Sequence, residues 1–263
     1  MDYQSNNLVV PRGSILFSKF RPGTFAGEGF RQLGNCPEFN LQRDAQFLEH
    51  RSSQKGTRLR DNRLPLGSDL GATIITDDMS AENWQYWTGG ELTTVTTASA
   101  TAQTETLIGI KKGRIYQIGK SAVAPTGLRG ISALSVEEGA TTYTALTDYV
   151  LDGTNGLLTI LSGGTIPEEA DLELTYNVAA STLRRNTFGE QEMEGELMFV
   201  SNNPFQDMPN SKLYIPRATI SANGDLSMMT DPDSPTWQQI PLTIAALQLG
   251  DMALAYRDDI PVL

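Results

Sequence analysis

The 263-residue chain has one cysteine, Cys36, and one histidine, His50. A lone cysteine forms no internal disulfide, which suits a protein assembled in a reducing cytoplasm. No Cys/His cluster has the spacing of zinc ligands. The pieces DGTNG and MTDPDSP lack the ordered acidic positions and closing Glu of a calcium loop. Glycine patterns that cradle phosphate are absent, so neither metal nor cofactor is expected. His50 and Asp44 could supply part of a hydrolytic triad, but the sequence has no nucleophile elbow, and a histidine on the polar face of a strand is far more often structural. No catalytic residue is assigned, and the chain is not expected to be an enzyme.

No apolar run approaches the roughly 20 residues that span a bilayer. The opening MDYQSNNLVVPRGS has no basic region followed by an apolar core, as a secretory signal would. The expectation is a soluble chain made in the cytosol, without membrane insertion. Positive charge is also scarce: 20 Lys and Arg stand against 31 Asp and Glu, for a net charge of −11. That balance argues against a nucleic-acid binder, which needs a basic face to displace phosphate counterions. The imbalance is uneven. Residues 1–63 hold ten Lys/Arg and six Asp/Glu (net +4), and residues 64–263 hold ten and 25 (net −15). A body with a basic end and an acidic remainder can associate head to tail, and such contacts build rings or open filaments.

What is present is glycine, proline and alternating apolar residues. The 24 Gly and 13 Pro suit short strands joined by many turns. Over 33–50, Phe39, Leu41, Ala45 and Phe47 fall on one face of an extended strand, with Asn40, Gln42, Asp44, Gln46 and His50 on the other. A polar loop over 51–69 follows, rich in Gly and Arg and too long for a tight turn. It carries Arg51, Lys55, Arg58, Arg60 and Arg63 against Asp61 and Asp69. A β-branched return strand then leads to a helix over 80–88, opened by Asp77, Asp78 or Ser80 and stopped by Gly89-Gly90. Trp84 and Trp87 are three apart and share a face, which predicts packing of the helix on a sheet, or burial of one ring against a neighbouring subunit.

The Thr/Ala-rich run after Gly90 marks a boundary. From 107 to 180 several short strands are punctuated by Gly, with DYVLDGTNGLLTIL reading as a hairpin turning at Asn155-Gly156. Leu172, Leu174, Tyr176 and Val178 share one face against Asp171, Glu173, Thr175 and Asn177, as in a half-buried strand. Strands resume after Arg184, with a long one over 190–201 and a hairpin through Asn223-Gly224 into 225–229. Pro216 and Pro241 fall inside predicted strands and favour edges or bulges. Mostly antiparallel β with one helix is the fold class these patterns predict.

The runs LGNCPEFNLQ…FLEHRSSQKG, ATIITDD and SAENWQYWTGG, followed by RRNTFGEQEMEGELMFVSNNP, YIPRATISANGDLSMM and WQQIPLTIAALQ, resemble the major tail proteins of long-tailed bacteriophages. This resemblance covers about two-thirds of the chain. It implies a tail-tube subunit: an antiparallel β-sandwich or barrel with one flanking helix and a long hairpin loop, assembled as stacked hexameric rings. Residues 1–92 and 181–263 would form the two halves of that core. Residues 93–180 would form a central β module, either inserted or part of the core. The implied partners are further copies of the chain, the tape-measure protein and the tail-end proteins, with genomic DNA passing through without specific binding. The implied location is the virion tail, after assembly in the host cytoplasm. A soluble β-sandwich binding module, or a tail accessory or terminator protein, is the alternative.

Two sets of site residues follow. The loop residues Arg51, Lys55, Arg58, Arg60 and Arg63 are expected to reach acidic surface on a neighbouring subunit or ring, where Arg pairs bidentately with carboxylates. Glu190, Glu192, Glu194 and Glu196, spaced by two, are expected to form one row on a strand, with Met193, Leu197 and Phe199 facing the core. Such a row facing the lumen would repel DNA phosphates, so that the genome slides without sticking.

Overall fold

The computed structural model describes residues 10–52, 56, 58–202 and 210–260. In chain order the strands before the helix are β1 (Gly13–Lys19), β2 (Arg31–Gln32), β3 (Glu38–Arg51) and β4 (Arg60–Thr76). The helix α1 spans Ala81–Thr88. Next come β5 (Leu92–Thr97), β6 (Ala100–Ile110), β7 (Ile115–Gln117), β8 (Ile131–Glu138) and β9 (Thr141–Thr142). They are followed by β10 (Tyr149–Asp152), β11 (Leu157–Ile160), β12 (Ala170–Val178) and β13 (Ser181–Asn186). The last are β14 (Met193–Ser201), β15 (Asn210–Ala222), β16 (Ile240–Ala246) and β17 (Tyr256–Ile260). The fold is mainly β, its sheets are antiparallel, and α1 is the one α-helix among the described residues.

The chain divides into two compact units, one made of Met1–Thr93 with Arg185–Leu263 and the other of Thr94–Arg184. Strands β5 and β13 pair where the chain leaves the first unit and returns to it.

In the first unit the strand order is β2-β1-β14-β15-β16-β4-β3, with β17 added on β15. Apolar residues at every second position line up across these strands. Phe17 faces Leu197, which faces Ile215, while Ile220 faces Ile244, which faces Ala72. All six are buried, as are Ile74, Ile240 and Leu242. Helix α1 packs on β15 and β16. Its Tyr86 ring is buried edge-on to Phe17 at 5.4 Å, and the buried Asn83 amide donates to the carbonyls of Leu33 (3.0 Å) and Asp78 (2.9 Å). Gly89 ends the helix at φ +62°, a left-handed position that glycine takes without steric strain.

The two prolines that the sequence places in strands, Pro216 and Pro241, sit where the sheet needs no N–H. β15 pairs with β17 up to Tyr214 and with β16 from Ala218, and its register against β14 shifts between Ile215 and Ala218. Pro216 occupies that gap. Pro241 lies where β16 outruns β15, and its carbonyl accepts the N–H of Asn223 at 3.1 Å. The hairpin expected through Asn223-Gly224 into a strand over 225–229 does not form. β15 ends at Ala222 and the next strand begins at Ile240, so 223–239 is an extended loop.

The second unit has a three-stranded sheet, β10-β11-β7, and a four-stranded one, β6-β12-β8-β9. Both contribute to a single core that includes Leu158, Ile160, Leu172, Leu174 and Val136. Along β12, Leu172, Leu174, Tyr176 and Val178 are buried while Asp171, Glu173 and Thr175 are exposed, which is the alternation the sequence shows. The β10–β11 turn is a four-residue connection between Asp152 and Leu157. The Asp152 carboxylate accepts both the backbone N–H and the side-chain amide of Asn155. Gly156 has φ +68°, and a Cβ there would stand 1.8 Å from the Leu128 carbonyl oxygen.

Asp148 ties this unit together. Its carboxylate is buried and accepts from the Thr144 N–H (2.9 Å), the Thr165 N–H (2.7 Å) and the Thr165 hydroxyl (2.8 Å). Those bonds, led by the Thr165 backbone, hold its pKa below the usual aspartate value. A lowered carboxylate pKa contributes stability that is complete above the ordinary value of about 4 and is lost as pH falls through the lowered one. Asp148→Asn must turn an amide N–H toward the Thr144 N–H, so it should melt below the parent at about pH 7, with the gap narrowing on acidification. Thermal melts of both proteins across that range check this; equal melting temperatures at neutral pH would refute it.

Candidate functional site

Strand β4 is 17 residues long, but only Gly71–Thr76 pairs with β16. Residues 60–70 pair with β3 alone. At about 3.3 Å per residue, a two-stranded ribbon therefore runs roughly 35 Å past the sheet. Almost all of its side chains are exposed. They include Leu48 at 58 % and Leu64 at 57 %, which face each other across the ladder, along with Phe47 and Leu66, while Leu59 is exposed in the connection. Isolated two-strand ribbons are marginal in water, and large apolar side chains are rarely left uncovered in a row.

The ribbon is held by its own cross-strand contacts. Arg63 lies over the Phe47 ring, 3.4 Å from its centre. Glu49 accepts from Arg60 and also neighbours Arg51 (3.7 Å) and Arg63 (4.0 Å). The bond from Arg60 is the first cause of the lowered Glu49 pKa. His50 and Asp61 are 2.6 Å apart, and that hydrogen bond likewise lowers the Asp61 pKa. The expected loop over 51–69 is thus corrected to a ladder reaching Arg51 and Arg60, with only 52–59 as its connection. Pro65 lies inside β4. It stands beside the bulge between Gln46 and Phe47, where a missing N–H is tolerated. Of the five basic residues assigned to the loop, Arg51, Arg60 and Arg63 lie in the ladder and meet Glu49. Arg58 is exposed in the connection, and Lys55 lies outside the described residues.

The four glutamates do not form one row, which corrects the expectation for them. β14 begins at Met193, so Glu190 and Glu192 precede it, exposed. Glu194 and Glu196 are in the strand, half-buried and engaged. Glu194 accepts from Arg217 Nε and Nη2, each at 3.1 Å, and Arg217 also stacks on Phe25 at 4.8 Å. Glu196 accepts from the Tyr214 hydroxyl at 2.7 Å. Burial, then this bond, push the Tyr214 pKa up to about 12, so the hydroxyl remains a donor at neutral pH. Facing arginine and tyrosine partners were not visible from spacing along one strand. Met193 and Leu197 face the core as the alternation requires, and Phe199 packs on Phe39 at 5.3 Å.

Trp84 and Trp87 meet edge to face at 6.2 Å, both half-buried against the first unit's core. The Trp87 indole N–H donates to the Gly224 carbonyl at 3.3 Å. That bond anchors the start of the 223–239 loop, a feature sequence reading missed. The loop exposes Met228, Met229 and Trp237 around a pocket of about 370 Å³. The signal was present in the sequence as a Met-Met pair and a Trp flanking a Pro/Asp run with no strand alternation.

Among the described residues no group of three His, Cys, Asp or Glu could hold a metal ion, and no helix is long and apolar enough to cross a membrane. The sequence model of the family described as "Protein of unknown function UCP028589" matches residues 10–249. The chain belongs to this family. Its matched span takes in the ribbon, helix α1, the second unit and the 223–239 loop. No curated protein matches the chain.

The ribbon's exposed leucines touch no core, so removing them should leave the folded subunit intact. Leu48→Thr with Leu64→Thr should shift stability by no more than about 0.5 kcal/mol, the range of surface changes. A denaturant titration checks this, and a loss of several kcal/mol would show that the pair is structural within one copy.

Proposed function

We propose that the chain is the repeating subunit of a phage tail tube, a structural protein whose copies form stacked, hexameric rings around a conduit for genome ejection. The observation that carries this reading is the β3–β4 ribbon, an arm with exposed leucines that no described part of the same chain covers. An enzyme or a compact binding module has no use for such an arm, whereas a subunit that must grip a neighbour does. The charge distribution supports it, since the ribbon belongs to the basic end of an otherwise acidic chain. A net charge of −11 also suits a conduit that DNA passes without binding. The resemblance to major tail proteins in the runs around the ribbon and helix supports the same reading. In that role the partners are other copies, the tape-measure protein and the tail-end proteins, and the location is the virion tail.

Negative-stain electron microscopy of the purified chain at rising concentration should show rings or tubes. A variant in which an Asn-Gly turn replaces 46–67, joining Ala45 to Ser68 as a short hairpin, should remain folded and form no tubes. A parent chain that stays monomeric at high concentration, or a shortened variant that still makes normal tubes, would overturn the proposal.

A further inference from the structure

Two surfaces of the first unit expose large apolar side chains, and they stand at opposite ends of one strand. At one end of β4, Ile75 forms part of the pocket wall beneath Met228, Met229 and Trp237. At the other end Arg60 closes the ribbon ladder. Fifteen residues of extended chain separate them, roughly 50 Å. The ribbon therefore cannot reach the pocket of its own copy.

The loop side of this pair is tied by hydrogen bonds of its own. The Ser227 hydroxyl donates to the Met229 carbonyl at 2.6 Å, and the Thr236 N–H to the Thr230 hydroxyl at 3.0 Å. The Gln238 amide donates to the Ser227 carbonyl at 3.0 Å. Trp237 is nevertheless 88 % exposed and Met229 89 %. An ordered loop that holds an indole and two thioethers in water has the composition of an interface anchor.

The charges of the two surfaces are opposite. The loop carries Asp225, Asp231 and Asp233 and no Lys or Arg, while the outer ribbon carries Arg51, Arg58, Arg60 and Arg63 against Glu49 and Asp61. Ribbon against ribbon, or loop against loop, would set like charges together, whereas ribbon against loop joins opposite ones.

We propose that the ribbon of one copy seats on the 223–239 loop of the next, its Leu48–Leu64 pair covering Met228, Met229 and Trp237 while its arginines meet the loop aspartates. The occupant of the loop surface is thus a second copy of this chain. The contact is head to tail, of the kind that propagates instead of closing on a pair. This deepens the tail-tube reading and rests on it, by naming the surface that receives the arm.

The test mixes two full-length variants, Leu64→Cys and Trp237→Cys, and adds a short bis-maleimide cross-linker. Both positions are exposed, so both variants should fold as the parent does. Burial pushes the Cys36 thiol up to about 11, which keeps it protonated and slow to react. The expected result is a dimer whose linked peptides join position 64 to position 237, formed in the mixture and lost when Asp231→Arg and Asp233→Arg are added to the Trp237→Cys chain. No such adduct, a predominance of 64–64 or 237–237 links, or an adduct indifferent to the charge reversal would overturn the inference. Electron microscopy of the parent separates the two claims. Tubes without the 64–237 link would sink the inference and leave the tail-tube reading standing; the link without tubes would do the reverse.

Discussion

A two-stranded ribbon has no interior. Wherever β3 and β4 continue past the sheet, each side chain they carry faces water on one side or the other, whatever its chemistry. The rest of the first unit is organised around this constraint. β4 is anchored for six residues by β16, and the core row through Ile244 and Ala72 ends at Leu41, which is already exposed. Beyond that point the strand pair is held by ladder hydrogen bonds, the Arg63–Phe47 contact and the Glu49 and Asp61 pairs. Exposed ion pairs of this kind contribute little each, so the arm gains little stability from them.

The body behind the arm is built differently. Its core fills from both directions of the sheet, and the fork in β15 at Pro216 lets one long strand serve β17 with one half and β16 with the other. Beside the fork, Arg217 is fixed by Glu194 on one side and Phe25 on the other, so the half-buried carboxylate there is neutralised. Helix α1 is locked by Tyr86 and Asn83, and through Trp87 it steadies the 223–239 loop. The stable body thus presents one fixed apolar surface and one extended arm, at opposite ends of β4.

Much of this was legible in the sequence because period-2 alternation survives wherever one face is buried. β12 and the inward residues Met193 and Leu197 follow directly from it. Helix α1 is legible from its flanking Ser80 and Gly89 instead. Three features were not legible, each for a physical reason. The returning half of the outer ribbon, 60–69, buries neither face and leaves no alternation, so its Gly and Arg content reads as a loop. The glutamate row failed because spacing along one strand says nothing about what the next strand places opposite, here Arg217 and Tyr214. Asn223-Gly224 is a strong turn signal and predicts a hairpin, but no paired strand follows it before Ile240. The arm and the loop are the two surfaces on which the functional proposal rests, and neither packs on the core of its own unit.

The central claim is that another copy covers the arm, and amide hydrogen exchange across protein concentration tests it most directly. The account predicts that exchange over 43–50 and 60–69 slows as concentration rises, together with 223–239, while the core of the second unit around β12 stays constant. Exchange in the ribbon that does not depend on concentration would contradict it.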